Sequence, residues 1–526
     1  MKRNARIPGM ALVLVLLAGA GTAFARGARE TSASPVTLSV LLFERSIPGF
    51  KPDDSMQSKW IREQVKKSLG YDVKFVTMPP FPDVEKVHIL MAAGQAPDIT
   101  FLNDENAVMN YVENGGLNEL GPLLDRYAPK LKKLQGTELW SYGAWNGHKW
   151  AVAAKRTLLA RSTTFIRKDW MDRLGLPLPT TRDEWYQALQ AFKANDPGAT
   201  GGRVIPFEFQ GAGMDGIDGN AGTLMQSFIT AMSDEDRAVL GGSARWMQPG
   251  YRDGMRYLNK LYNEGLLGPG FLQDKDGTQY RKDVVQGLTG SMIQNWDDPY
   301  RASPGLQAEL AAAVPGALYV PIDPFPDYQG RTTKPLQNPN GLYVFNPRFS
   351  RNGVAAVKYL EWMSNPDVYG FLTNGIRGVH YTDEVDGLPV NYVDQDRLPD
   401  SQKTHWLDFC PILNGREFGS NEKNAQAASL GPGYSPGYAE QLKQSYIYGM
   451  KDGEFPFHWQ VTIEAEGKFG GILKQKSAEI WVKCISCRPE EFDALYDSMV
   501  KQWLFLGGQT VIDGKRAAYR ATKSLR

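Results

Sequence analysis

Val36-Thr37-Leu38-Ser39-Val40-Leu41-Leu42-Phe43 is an apolar, partly β-branched run without glycine or proline, the pattern of a buried strand. Residues 58–69 follow with Trp60, Ile61, Val65 and Leu69 at helical spacing and stop at Gly70. Residues 73–78 read as a second strand halted by Pro79-Pro80, residues 82–93 as a second helix closed by Gly94, and residues 98–102 as a third strand. Strand, helix, strand, helix, strand in this rhythm predicts an α/β fold with a parallel sheet. Open parallel sheets take ligands beyond the C-terminal ends of their strands. That rule places Glu44 and Arg45, after the first strand, and Asn103, Asp104 and Glu105, after the third, at a crevice.

The 526 residues suffice for three or four average domains or two large ones. Lys+Arg 59 against Asp+Glu 58 leaves a net charge of +1, which argues against a nucleic-acid partner held by bulk charge. With 42% hydrophobic and 22% charged residues, the composition is that of a globular chain. Aromatic residues reach 11%, enough to furnish a binding surface.

Lys2, Arg3 and Arg6 precede an apolar run at 10–20, and Thr22-Ala23-Phe24-Ala25 supplies small residues. These are the three parts of a secretory signal peptide, cleaved after Ala25. The run is short for the roughly 30 Å of bilayer hydrocarbon. Residues 26–35 read as a flexible polar leader. The first cysteine is Cys410, so the sequence offers no cysteine for a lipid anchor after the apolar run and predicts a periplasmic or secreted protein. Cys484 and Cys487 form a C-x-x-C pair open to oxidation after export, with Cys410 left over. Three cysteines without a nearby histidine make a poor zinc site, and a local structural role is expected.

Further along, Thr181 with Glu184 forms a capping box opening a helix over 181–195. Residues 254–264, 352–363 and 490–505 read as amphipathic helices, and 290–293 as a strand. Four stretches then combine: Ala92-Ala93-Gly94-Gln95-Ala96-Pro97-Asp98-Ile99; Trp145-Asn146-Gly147-His148-Lys149 with Ile166-Arg167-Lys168-Asp169-Trp170 and Pro179-Thr180-Thr181; Leu261-Tyr262-Asn263-Glu264-Gly265-Leu266; and Tyr359-Leu360-Glu361-Trp362-Met363 with Gly375-Ile376-Arg377-Gly378-Val379-His380-Tyr381. In this order they resemble the extracellular solute-binding proteins of ABC importers, in the sugar and oligosaccharide branch that includes alginate-binding proteins.

The resemblance implies a bilobal periplasmic-binding-protein fold of type II. Two α/β lobes flank a ligand cleft and are joined by hinge strands, with passages expected near 150–156, 313–322 and 375–381. Lobe one would hold 36–151 plus 321–374, and lobe two 152–320 plus 375–526. It also implies a carbohydrate ligand, captured by lobe closure and delivered to membrane permease subunits, with no cofactor, no catalysis and a monomeric state. Where alginate-type relatives carry a calcium loop, this chain reads Asp196-Pro197-Gly198-Ala199-Thr200-Gly201-Gly202. One carboxylate cannot supply the six or more oxygens calcium takes, so no metal is expected. Asp274-x-Asp276-Gly277 reads as a polar turn.

Sugars need flat aromatic platforms and paired polar forks. Trp296, after the strand at 290–293, is the expected platform, with Asp297 beside it. Lys155 and Arg156 follow the first hinge and favour an anionic ligand such as a uronate oligosaccharide. Glu44, Asn103, Asp104, Glu105, Trp145, Glu208, Arg377, His380 and Tyr381 complete the candidate set. His88, His148, His405 and His458 show no metal spacing. Gly433-Tyr434-Ser435-Pro436-Gly437 matches a hydrolase elbow in letters only, because Pro436 has no N–H to give an oxyanion hole. Gly211-Ala212-Gly213-Met214-Asp215-Gly216 lacks an immediate helix for a pyrophosphate. A peptide importer component and a secreted glycosidase are the alternative readings.

Overall fold

Asp98 ties the first strand to the rest of the first sheet. Its carboxylate accepts the Ser39 N–H (2.8 Å), the Ser39 hydroxyl (2.7 Å), the Ser350 hydroxyl (2.6 Å) and the Asn352 amide (3.1 Å). The computed structural model describes residues 35–44, 51–80, 82–210, 216–272, 274, 276–302, 305–403, 408–435 and 437–525. The signal peptide, the leader to residue 34, Arg45, most of the glycine string at 211–216, His405 and Pro436 lie outside the described residues.

Strand Thr37–Phe43 pairs in parallel with Asp72–Met78, and Val40 bridges in parallel to Ile99. Helices Met56–Leu69 and Asp83–Ala92 connect them, the former capped by the Ser55 side chain and ended at Gly70 with φ 73°. Beside this ribbon stands a four-stranded sheet in the order Leu413–Asn414, Ala151–Arg156, Asn340–Phe345, Thr100–Leu102. Asn340–Phe345 runs antiparallel to both of its neighbours. A second four-stranded sheet has the order Tyr319–Ile322, Ser162–Arg167, Thr289–Asn295, Ile205–Phe209.

The sheets have separate cores. Leu38, Val40, Ile61, Phe101, Val152, Tyr343 and Val357 pack round the first, together with Phe409, Cys410, Ile412 and Leu413. Trp170, Trp185, Phe192, Phe207, Leu258, Ile293, Ile480 and Trp503 pack round the second, and Phe165, Met292, Trp296, Tyr300 and Tyr446 form a further cluster on it. Helix Arg182–Asn195 begins with the full capping box of Thr181 and Glu184. A helix over Glu464–Ser486, whose apolar spacing is too irregular to stand out in the sequence, is fixed at its end by Asn259. That amide donates to the carbonyls of Cys484 (3.0 Å) and Cys487 (2.8 Å), satisfying helix-terminal groups. Cys484 and Cys487 are both free thiols here, Cys484 buried in the helix. Among the described residues no helix is long and apolar enough to cross a membrane.

Three segments pass between the sheets, at 157–161, 323–339 and 415–420. Tyr319–Ile322, across which the expected boundary at 321 falls, pairs along its length with Ser162–Arg167. Residues 375–381 lead into the hairpin Tyr381–Val385 and Leu388–Tyr392, after which the chain re-enters the first core at Phe409. The first and third passages lie side by side. The Thr157 N–H donates to the Asn414 carbonyl (3.1 Å), and Gly415, at φ 122°, has no room for a Cβ against the Thr157 hydroxyl. Only glycine fits that approach.

Burial raises the Asp98 pKa, but the hydrogen bonds from Ser350, Ser39 and Asn352 outweigh it, and the net shift is downward. A depressed carboxylate contributes stability that is present above its unfolded pKa and lost as pH falls through its folded value. Asp98→Ala is therefore expected to cost roughly 2–4 kcal/mol at neutral pH by stranding these donors. The deficit should shrink below about pH 4, as read from urea melts at pH 7 and pH 3.5.

Candidate functional site

A cavity of about 590 Å³ opens where the strands of both sheets end. Its wall is formed by Phe43, at the end of Thr37–Phe43; Pro80 and Asp83, after Asp72–Met78; Asn103 and Glu105, after Thr100–Leu102; Arg156, at the end of Ala151–Arg156; and Asn295, at the end of Thr289–Asn295. The passages add Arg161 and the segment from Leu336 to Asn338; strand residues Asn340 to Tyr343 and Asn414, with Pro456, complete the wall. Strand ends thus converge on one space, as open α/β sheets do at their carboxyl edges.

The chemistry of the wall is mostly carboxamide: Asn103, Asn295, Gln337, Asn338, Asn340 and Asn414 all face the space. Each such side chain offers a donor pair and an acceptor, the combination that matches a vicinal diol. Asn340 is 6% exposed, yet its Oδ1 accepts no hydrogen bond among the described residues. A buried polar atom left unsatisfied is costly and calls for an explanation.

Glu105 sits at the first-sheet side of this wall. Burial pushes its pKa up to about 7, opposed by the Tyr343 hydroxyl and the Trp145 indole and reinforced by the charges of Asp104 and Glu466. His458, stacked on Tyr142 at 3.7 Å, brings its Nδ1 within 3.8 Å of the carboxyl. Near neutral pH the group is divided between acid and carboxylate, and so between donor and acceptor.

Asn103, Glu105 and Arg156 are the residues singled out in the sequence that the fold brings to this wall. Trp145 lies beneath it, fully buried against Tyr343 and Glu105. Asp104 caps helix Glu105–Glu113 by accepting from the Ala107 N–H (2.9 Å). Glu44 is exposed and is not part of the wall.

Trp296 is not part of the wall either. Alternation along Thr289–Asn295 turns Asn295 to the cavity, and the next side chain enters the core, 3% exposed and 4.9 Å from the Tyr446 ring. Asp297 is taken by Arg301 (2.9 Å) and the Tyr434 hydroxyl (3.1 Å). Lys155 pairs with Glu417 at 2.7 Å. Glu208 is buried in the second sheet, accepting from Thr289, and burial raises its pKa to about 8. Arg377 pairs with Asp383 at 3.4 Å, and the Tyr381 hydroxyl bonds Glu384. His380 is buried with Nδ1 accepting from the Ile376 N–H and Nε2 set 2.8 Å from the Gln402 carbonyl. These two contacts fit the neutral Nε2–H tautomer.

Sequence reasoning missed Asp83, Arg161, Asn295, Asn414 and the run Gln337-Asn338-Pro339-Asn340-Gly341. That run did carry a signal, since four of its residues are carboxamides or glycine around a proline, but nothing local says which cavity it borders. The Asp196 loop has its carboxylate filled from within, by the Thr200 N–H (2.9 Å), the Thr200 hydroxyl (2.7 Å) and the Gly202 N–H (3.0 Å).

Two outcomes follow from this geometry. A carboxyl whose folded pKa is raised contributes stability below its unfolded pKa and loses it as pH rises through the folded value. Glu105→Gln should then match the wild type at pH 4 and exceed its stability by about 1–3 kcal/mol at pH 8.5, in denaturant melts at the two pH values. Addition of calcium or of a chelator should leave the melting temperature within experimental scatter, because N–H donors already occupy Asp196.

The family model for the bacterial extracellular solute-binding protein matches residues 53–369, more than half of the chain. The polygalacturonan/rhamnogalacturonan-binding protein YtcQ of Bacillus subtilis is 26% identical over 545 aligned residues, covering 97% of this chain and 98% of its own. Among solved structures, the substrate-binding protein FusA of Streptococcus pneumoniae in complex with kestose superposes with a TM-score of 0.61 at 18% identity, over 93% of this chain and all of that one. The alginate-binding protein AlgQ2 without calcium ion gives 0.60 at 19% identity, over 92% and 98%. The two sheets with their three passages are thus the bilobal α/β fold of periplasmic binding proteins, and the chain belongs to the bacterial extracellular solute-binding protein family.

Proposed function

We propose that this protein is the substrate-binding component of an ABC importer and captures an oligosaccharide outside the cytoplasmic membrane. The observation that carries the reading is the carboxamide wall of the 590 Å³ cavity, with the buried Asn340 Oδ1 left without a partner on it. A volume in the range of ordinary ligand sites, walled by paired donors and acceptors, suits a molecule that is mostly hydroxyl. Each hydroxyl withdrawn from water must regain its hydrogen bonds, or binding costs energy. YtcQ, a polygalacturonan/rhamnogalacturonan-binding protein, and FusA, solved in complex with kestose, support the same class of ligand.

In this reading lobe one comprises 36–156, 340–374 and 408–414, lobe two comprises 162–322 with the chain beyond residue 420, and the passages serve as the hinge. A ligand touching Asn103 and Glu105 from one lobe and Asn295 from the other favours the closed state by the difference in its affinity for the two. The closed form of a monomer then docks on the permease subunits. Asp83 and Glu105 both line the cavity, the pairing a glycosidase would use. We assign them to binding, and the sugar leaves intact.

Thermal-shift screening against kestose, trigalacturonate and a tripeptide tests the proposal. At 100-fold over Kd, a ligand adds about 2.7 kcal/mol to stability. A sugar should raise the melting temperature, and no new reducing ends should appear on prolonged incubation. Asn340→Ala should weaken that sugar about tenfold without lowering the melting temperature of the free protein. Stabilisation by the peptide alone, or release of reducing ends, would refute the assignment.

A further inference from the structure

Strand Ala151–Arg156 ends in two adjacent cations that the fold treats in opposite ways. Lys155 turns away from the cavity to Glu417, whose side chain is 4% exposed, at 2.7 Å. Arg156, one residue on and so on the other face of the strand, lines the cavity. Its Nε donates to the Asn338 carbonyl at 3.0 Å, and its own N–H donates to the Pro339 carbonyl at 2.7 Å. Among the described residues no carboxylate pairs with it, and burial is the single influence on its ionisation, a lowering one. A guanidinium nevertheless stays charged. A cation partly withdrawn from water with only carbonyls for company lacks the counter-charge that would offset its desolvation.

The remaining charges on the wall do not supply that counter-charge. Arg161 adds a second cation, against Asp83 and Glu105. Burial leaves Glu105 about half protonated near neutral pH. The wall thus sets the two cations Arg156 and Arg161 beside a carboxyl that burial makes reluctant to ionise, and the Arg156 guanidinium lies next to Asn338.

We propose that the ligand carries a carboxylate and that Arg156 receives it, making Arg156 the residue that selects acidic oligosaccharides over neutral ones. This rests on the carbohydrate reading above and narrows it. An arginine fork meets a carboxylate with two parallel hydrogen bonds, a geometry a hydroxyl cannot match.

Calorimetric titration of the full chain with trigalacturonate, trimannuronate, the fully methyl-esterified form of each and kestose tests the point. One of the two acids should bind at least tenfold more tightly than its own ester, the preference weakening as salt is raised. Arg156→Gln should erase the preference, so that each acid binds no more tightly than its own ester. Arg156→Lys, which keeps the charge and loses the fork, should retain part of it, and serves as the arbiter if the glutamine variant fails to fold. Equal binding of acid and ester, binding of kestose alone, or a preference unchanged in both variants would overturn the proposal while leaving the carbohydrate reading in place. Failure of every sugar to bind would overturn both.

Discussion

Strand Ala151–Arg156 is hydrogen-bonded along both edges, to Asn340–Phe345 on one side and Leu413–Asn414 on the other. Lys155 is the register partner of both Asn340 and Leu413. Because all three strands adjoin a passage to the second sheet, this pairing brings the three passages to one place. Arg156, Asn340 and Asn414 then face the same space although the sequence spreads them over nearly half the chain. Backbone groups buried here have no water to turn to, so the ladder fixes the register firmly. The binding wall is a by-product of that register.

How the fold disposes of buried charge separates scaffold from site. Arg167 is fully buried, yet it is forked onto Asp169 at 2.8 and 2.7 Å and capped by the Gly287 carbonyl. Lys334 in the second passage meets Asp323 at 2.6 Å, both almost wholly buried. These pairs are complete, and breaking either would leave a lone charge in a poor solvent for it. Arg156 and Glu105 are the contrast: among the described residues no carboxylate pairs with the partly desolvated Arg156, and the buried Glu105 has His458 no nearer than 3.8 Å. Imperfection of this kind is uneconomical in a scaffold and useful in a site, where a ligand completes what the protein leaves open.

The sequence by itself determined the opening strand–helix–strand–helix–strand run and the helices that cap cleanly. Apolar runs at 37–43, 72–78 and 100–102, with the helices between them stopping at Gly70 and Gly94, state their structure locally, and so does the Thr181–Glu184 capping box. It also marked Asn103, Glu105 and Arg156, because a strand end is a local feature and strand ends are where such sheets bind. Tertiary structure alone decided which cation is free. Lys155 and Arg156 are indistinguishable until Glu417, some 260 residues on, arrives beside one of them. It alone decided that Trp296 belongs to a core, since one step of strand alternation exchanges it for Asn295. It alone gathered Asn103, Asn295, Asn338, Asn340 and Asn414 on one wall. The physical reason is common to all three: hydrophobic periodicity is written within a few residues, whereas charge compensation and cavity lining are properties of pairs that only the folded chain brings together.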